Sequence, residues 1–278
     1  MKIIIPAAGL GSRLNEALPA NQYRPKVVSK ARGCALGHWS YSSFKRWITG
    51  GLVSPSDFVF VVKRSDLKYD LVRIIKASTH ESVRIVVIDE LLNGPGYTAK
   101  KGIEAIEIGE NEPLFVNDCD HFFSSGGIYN AIIDQGLASP EAILLAVADT
   151  NSREPTWSYA SLDDGFYLPR VLDVKEKDKA MAESGAPGLV GCYGFGSKKL
   201  FFELFEIAVS KLDDGQELYI SNIVTCGLSK HLAVRAAYSR YAFPLGTQDE
   251  IFEFERSFAL DGESFEDRTY FIDLDGVL

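Results

Sequence analysis

From Lys2 the chain reads KIIIP, a β-branched run without a polar position, the pattern of a central strand buried on both faces. The same character returns in DFVFVVK (57–63), VRIVVID (83–89), PLFVND (113–118) and AILLAVA (142–148). Between these runs the apolar positions fall every three or four residues. GHWSYSSFKRWI (37–48), DLKYDLVRIIKAS (66–78), YTAKKGIEAIEI (97–108) and GGIYNAIIDQGLA (126–138) therefore read as helices. Strand and helix alternate, which predicts a mostly parallel sheet with helices on both faces.

After about Thr150 the pattern loosens. TWSYASLDDGFYLPRVLDVKEK and PGLVGCYGFGS alternate around Asp-Gly and Pro-Gly turns, and read as further strands of the same sheet, some antiparallel. Helical periodicity returns in KKLFFELFEIAVSKL and LYISNIVTCGLSKHL. The expected organisation is one α/β domain over residues 1–258, then residues 259–278, an acidic connector (ALDGESFEDR) and a last strand (TYFIDLDGVL).

Composition narrows the class of ligand. The 278 residues are 46% hydrophobic and 24% charged, ordinary for a globular protein, with a net charge of −9. That balance argues against non-specific nucleic-acid binding, and an anionic ligand would need cations gathered locally. The four cysteines contain no C-x-x-C, which argues against a zinc site or a disulfide framework and for reduced thiols in a cytoplasmic protein. The longest apolar runs are too short for a bilayer span, so no membrane partner is expected. MKIIIPAAG reads as a first strand rather than a signal peptide. A homo-oligomer stays open.

The first strand leads into PAAGLGSRL, residues 6–14. Gly9 and Gly11 allow a tight turn and close approach to a ligand, and backbone N–H groups of such a loop can hold phosphate oxygens. Leu14 stands where a dinucleotide fingerprint would need glycine, and the Gly-Lys-Ser/Thr of a P-loop is missing. What remains is G-x-G-S-R followed by Pro25-Lys26. Two cations beside a backbone cradle suit a triphosphate: Arg13 can fork onto phosphate oxygens, and Lys26 supplies a point charge.

These residues resemble the N-terminal motif A-A-G-x-G-[ST]-R…P-K of sugar-phosphate nucleotidyltransferases, a family that includes thymidylyl-, uridylyl- and phosphocholine-type cytidylyltransferases. The resemblance covers most of residues 1–258. It implies a three-layer α/β/α Rossmann-like (GT-A-like) fold with a mixed, mostly parallel sheet, and Mg²⁺ as cofactor. It also implies transfer of a nucleotidyl group from an NTP (CTP, UTP or dTTP) to a phosphorylated small-molecule acceptor, with release of pyrophosphate. The phosphate holders become Ala8, Gly9, Gly11, Ser12 and Arg13, and the bridging cation Lys26. The gap from Arg13 to Lys26 is a few residues longer than the family's, which leaves Arg24 as a second candidate cation.

Other motifs follow the same logic. In PLFVNDCDHFF, Asp118 and Asp120 follow a buried strand, at the sheet edge where open α/β folds bind ligands. Mg²⁺ takes one or two carboxylates plus phosphate oxygens and water. By resemblance Asp120 is the metal ligand, with Asp118 second. In LLNGPGYTAKKG, Asn93, Gly94 and Gly96 correspond to a glycine-rich segment that lies against the base. In VKEKDK, Glu176 and Lys177 correspond to residues that take the acceptor's hydroxyls and phosphate. Trp157 and Tyr159 are either walls of the acceptor pocket or core. Pro244 stands where many relatives carry a second metal-binding aspartate, which leaves Asp249 or Glu217 as substitutes. The histidines show no ligand spacing, and a packed or solvated His121 is expected.

The expected function is a Mg²⁺-dependent nucleotidyltransferase acting on a sugar 1-phosphate or small phospho-alcohol in surface polysaccharide (capsule) biosynthesis. VNDCDHFF is closer to the cytidylyltransferase motif. Two other readings stand beside it. Asp273-x-Asp275-Gly276, after the apolar YFI, resembles the opening of a haloacid dehalogenase-like phosphatase domain, of which only the start would be present here. The loss of an aspartate at Pro244 would also suit a non-catalytic nucleotide-binding module.

Overall fold

The computed structural model describes residues 1–16, 23–135, 139–150, 156–165 and 167–261. The first half contains β1 (Lys2–Pro6), α1 (Ser12–Asn15), β2 (Lys30–Ala31), β3 (Cys34–Ala35), α2 (Leu36–Ser42), α3 (Lys45–Thr49), β4 (Phe58–Lys63), α4 (Leu71–Ser78), β5 (Arg84–Ile88), α5 (Pro95–Glu104), β6 (Leu114–Asn117) and β7 (His121–Phe123). The second half adds α6 (Gly126–Gln135), β8 (Ile143–Ala148), β9 (Ser158–Leu162), β10 (Val171–Glu176), α7 (Lys179–Ser184), β11 (Gly188–Phe195), α8 (Lys198–Val209), α9 (Ile220–Ser229), β12 (Val234–Tyr238), β13 (Ala242–Pro244) and α10 (Gln248–Asp261). Asp273, Asp275 and the rest of the tail motif lie outside the described residues, as does the middle of the Arg13–Lys26 gap.

Successive side chains of a strand point to opposite faces, so a strand apolar throughout feeds two cores. Ile4, Val59, Val61, Leu114 and Val116 pack with Ile103 of α5, Leu204 and Phe205 of α8, and Ile223 of α9. Ile3, Ile5, Phe58, Phe60 and Phe115 pack on the other side with Trp47 of α3, Ile75 of α4 and Ile128 of α6. The expected three layers are present.

The sheet is mixed, mostly parallel and nine-stranded. Strands β5, β4, β1 and β6 form a continuous parallel block. β11 runs antiparallel between β6 and β8, and β12 pairs parallel with β8. The β9–β10 hairpin attaches at two points, Tyr159 pairing with Gly188 at the start of β11 and Arg170, just before β10, bridging Arg235 of β12. No described helix is long and apolar enough to cross a membrane. All four cysteines are free thiols.

Three sequence expectations need adjustment. The helix expected over 37–48 is broken at Ser43–Phe44, because Phe44 turns into the core against Trp47 (ring centroids 4.9 Å apart) and Phe58 (5.6 Å). The helix expected from 66 begins at Leu71. A 3₁₀ segment, Arg64–Tyr69, precedes it, and Asp70 takes a left-handed φ of 57° between them. Strand β12, VRAAY, was not expected at all: its alanines carry little strand signal, and its pairing with β8 is wholly non-local.

Candidate active site

The parallel strands end on one edge of the sheet, and the loops leaving them enclose a cavity of about 510 Å³. That volume is in the range of small-molecule sites. It is lined by residues of the glycine loop, the Asn93 segment, the Asp118–His121 turn, the β9–β10 hairpin and the segments before α9 and α10.

β1 delivers the glycine loop. Gly11 has a φ of 61°, and a Cβ there would lie 3.4 Å from the Lys26 Cβ, so the loop and the Lys26 segment touch. A Cβ on Gly9 would meet no atom of the described residues within 4 Å, and Gly9 lines the cavity, so the loop leaves room there for a ligand. Asn15 ties the two arms of the long gap together. Its amide donates to the Gly11 carbonyl (2.9 Å) and the Arg24 carbonyl (3.0 Å), and its Oδ1 accepts from the Arg24 N–H (3.1 Å). This clasp brings Lys26 into the cavity. Arg24 is turned away, its guanidinium 5.5 Å from the Tyr69 ring centroid. Arg13 lines the cavity and carries no ion pair among the described residues.

β6 delivers the acids. Lys26 Nζ donates to Asp120 Oδ2 at 2.7 Å, and both side chains are largely buried, at 19% and 13% exposure. Burial works against each charge, but each stabilises the other: the ammonium's pKa is raised, while Lys26 and His121 hold the Asp120 carboxyl well below the usual range. Asp118 differs. Burial raises its carboxyl to about 7, against the pull of His121 and with help from Asp120. The turn at Cys119–Asp120 curls the segment so that His121 faces both acids, its Nδ1 3.6 Å from Asp120 Oδ1 and 3.8 Å from Asp118 Oδ2. His121 is therefore neither a solvated residue nor simple packing, because the turn creates a proximity that no linear spacing announces.

The supporting residues come from far along the chain. Ser40 Oγ donates to the Asp118 carbonyl (2.9 Å) and accepts from the buried Asn117 amide (2.9 Å). β11 bulges at Gly191 (φ 73°), whose carbonyl accepts the Asp118 N–H at 2.8 Å. A Cβ there would come within 2.5 Å of Asp118 Oδ2. β13 pairs antiparallel with β7, Pro244 opposite His121, and the Leu245 N–H then donates to the Asp120 carbonyl at 2.7 Å. Gly246 packs so closely that a Cβ would lie 2.8 Å from Asp120 Oδ2. Of the acids suggested in place of an aspartate at Pro244, Asp249 is exposed and outside the cavity lining. Glu217 lines the cavity but accepts the Tyr219 hydroxyl at 2.6 Å. Glu250 does line the cavity, its Oε2 held by the Gly246 N–H at 2.7 Å.

Also lining the cavity, Glu176 ends β10 and accepts hydroxyls from Ser158 and from Ser221, the latter at 2.9 Å. Lys177 lines the cavity in a left-handed conformation, φ 49°, unusual for a residue with a side chain and a form of strain that concentrates at functional sites. Trp157 lines the cavity, whereas Tyr159 is fully buried. Asn93 and Gly94 line the cavity, but both clasp the 216–218 segment. The Asn93 amide donates to the Gln216 carbonyl (2.8 Å), and a Cβ on Gly94 would lie 2.6 Å from the Leu218 nitrogen. Gly96 is outside the lining, its N–H bonded to the Leu218 carbonyl at 2.9 Å.

The donor set fits a divalent cation. A ligand atom from each of Asp118, Asp120 and His121 lies within 4.8 Å of the other two. His121 Nδ1 is buried without a hydrogen-bond partner among the described residues. An orphaned buried polar atom costs about 1–3 kcal/mol, which a bound ion would relieve.

No model of a known protein family matches the chain. No curated protein matches it in sequence. Solved structures do. A nucleoside-diphosphate-sugar pyrophosphorylase from Vibrio cholerae superposes with a TM-score of 0.70 at 21% identity, over 91% of this chain and 99% of that one. The inositol-1-phosphate CTP transferase from T. maritima gives 0.63 at 15% identity, over 94% and 96%. A UTP-bound UGPase from Acinetobacter baumannii gives 0.65 at 15% identity, over 94% and 93%. At these identities the likeness establishes architecture: the chain has the Rossmann-like fold of the nucleotidyltransferases.

Proposed function

We propose that this protein is a Mg²⁺-dependent nucleotidyltransferase that joins an NTP to a sugar 1-phosphate or small phospho-alcohol and releases pyrophosphate. The observation that carries the reading is the Lys26–Asp120 pair, held at 2.7 Å beside a glycine loop whose Gly9 leaves space that no described residue fills. The solved neighbours include proteins described by UTP binding and by CTP transfer, which supports an NTP as donor.

The chemistry needs no protein nucleophile, because the acceptor phosphate is already anionic. Its oxygen attacks the α-phosphorus in line. A new O–P bond forms, the bond to the β-phosphate oxygen breaks, and pyrophosphate leaves with that electron pair. The chain's work is positioning and charge neutralisation. The glycine-loop N–H groups and Arg13 would hold the triphosphate, Lys26 would offset charge on the reacting phosphates, and Glu176 and Lys177 would orient the acceptor. The cavity lining carries Asp118, Asp120, Glu176, Glu217 and Glu250 against Arg13, Lys26 and Lys177. A triphosphate enters such an acidic site only with a cation. The ion, held by Asp120 and Asp118, would supply that charge and polarise the phosphoryl oxygens.

An NTP donor places the reaction in the cytoplasm, and surface polysaccharide assembly is the use that such activated products suit. Residues 1–258 would form the catalytic domain, whose last helix, α10, continues to Asp261. Pyrophosphate release, measured with each NTP against a panel of acceptor phosphates with Mg²⁺, tests the reading, with CTP expected to be preferred. Pro244, in place of a metal-binding aspartate, favours one alternative. Tight NTP binding with no turnover against any acceptor would indicate a nucleotide-binding module instead.

A further inference from the structure

We propose that His121 is a metal ligand, through Nδ1, alongside Asp118 and Asp120, and that this nitrogen makes the site favour Mn²⁺ over Mg²⁺. The ion's use in turnover rests on the nucleotidyltransferase reading, whereas its binding is a property of the free chain.

Asp120 divides its oxygens between two partners. Oδ2 is taken by Lys26 at 2.7 Å, while Oδ1 faces His121 Nδ1 at 3.6 Å. An ion on the Oδ1 side would not have to displace the lysine. The separations from Nδ1, 3.6 Å to Asp120 and 3.8 Å to Asp118, are too long for hydrogen bonds. They suit two ligands of one ion. With metal–ligand bonds of about 2.1 Å, octahedral neighbours stand about 3.0 Å apart and opposite ligands about 4.2 Å.

The imidazole is offered to the acids rather than spent elsewhere. Nδ1 is buried and lacks a hydrogen-bond partner among the described residues. Coordination through Nδ1 requires the neutral ring with its proton on Nε2, so the ion releases to solvent the proton that the two acids favour on Nδ1, and Trp157 packs against the ring with centroids 5.9 Å apart, limiting how it can rotate. Both carboxylates sit where only glycine leaves room, Asp118 against Gly191 and Asp120 against Gly246. The three donors are thus held together before any ion arrives. Mg²⁺ demands oxygen ligands and keeps its water, whereas a transition ion accepts an imidazole nitrogen beside carboxylates. Of the transition ions, Mn²⁺ is the one that carboxylates suit best.

The test is Mn²⁺ binding to the whole chain without nucleotide, followed by electron paramagnetic resonance and by competition with Mg²⁺. Mn²⁺ should bind at least about tenfold more tightly than Mg²⁺, with a nitrogen hyperfine coupling in the bound-ion spectrum. His121→Ala should remove the coupling and weaken Mn²⁺ about tenfold or more, with at most about a twofold change for Mg²⁺. Absence of nitrogen coupling in the wild type, or equal losses for both ions in the variant, would overturn the proposal. The wild-type spectrum decides even if the variant misfolds. Pyrophosphate release is assayed in parallel: nitrogen-coupled Mn²⁺ without turnover would sustain the ligand assignment and sink the transferase reading, and turnover without the coupling would do the reverse.

Discussion

Lys26 and Asp120 meet at 2.7 Å in a largely buried pair, with backbone from β11 and from the turn before α10 pressed against the acids. On the β9–β10 hairpin, which meets β11 and β12 at one residue pair each, Glu176 is held by two serine hydroxyls. One end is fixed by main chain that cannot move without disturbing the core. The other is fixed by side chains that can turn. The first suits chemistry that requires charges placed in advance. The second would suit the acceptor of the proposed reaction, since side chains can change there at little cost to the fold.

If that contrast is right, the largest effects belong to the buried end. Asp120→Asn should lower turnover by at least about a thousandfold, since it weakens the ion site and leaves Lys26 with a neutral partner. Asp118→Asn should cost less, about tenfold. The substitution leaves Asp120 and its pair with Lys26 in place. Pyrophosphate release read at saturating substrate checks both, and reversed magnitudes would mean that the two acids have exchanged roles. Lys26→Ala should follow, with a loss of about a hundredfold in kcat and little change in acceptor KM. Circular dichroism should show the fold intact. A variant retaining full activity would remove Lys26 from the chemistry.

Gly191→Ala sharpens the comparison without touching a charged group. Alanine at φ 73° is strained, and its Cβ would press on Asp118 Oδ2 at 2.5 Å. We expect a loss of about 1–2 kcal/mol in stability by denaturant titration and about tenfold in kcat. Destabilisation with unchanged kcat would mean that Asp118 tolerates displacement and that the bulge serves the fold alone.

This glycine also marks the limit of what the sequence discloses. The parallel block was readable because each of its strands is a local apolar run, and the glycine loop and Asp120 because they follow such runs directly. Gly191, Gly246, Ser40 and Asn117 carry no such mark. Each acts on a residue brought near by sheet pairing or by turns, and a glycine required by a carboxylate 73 positions earlier looks like any other glycine in a strand. His121 belongs with them, since only the turn at Cys119–Asp120 aims it at the acids. Asn93 and Gly96 show the opposite difficulty: a glycine-rich motif suggests a ligand, yet here the amide of one and the backbone of the other hold the Gln216–Leu218 segment.

The smallest effect belongs to the adaptable wall. Ser221, in the first turn of α9, donates its hydroxyl to Glu176 Oε2 at 2.9 Å, and Ser158 donates to the same oxygen from β9. Removing one of two donors leaves the carboxylate still tethered, and a hydrogen bond to a charged group contributes about 1.5–3 kcal/mol at most. Much of that would be recovered by water in a pocket open to solvent. Ser221→Ala should therefore raise the acceptor KM by only a few fold, leave kcat and the KM for the nucleotide unchanged, and cost little stability. The matching Ser158→Ala should behave alike, and the double variant should exceed the sum of the singles in free energy, because only then does Glu176 lose both restraints. A fall in kcat from either single substitution would mean that the carboxylate's placement is as demanding as that of Asp120, and the contrast between the two ends would fail.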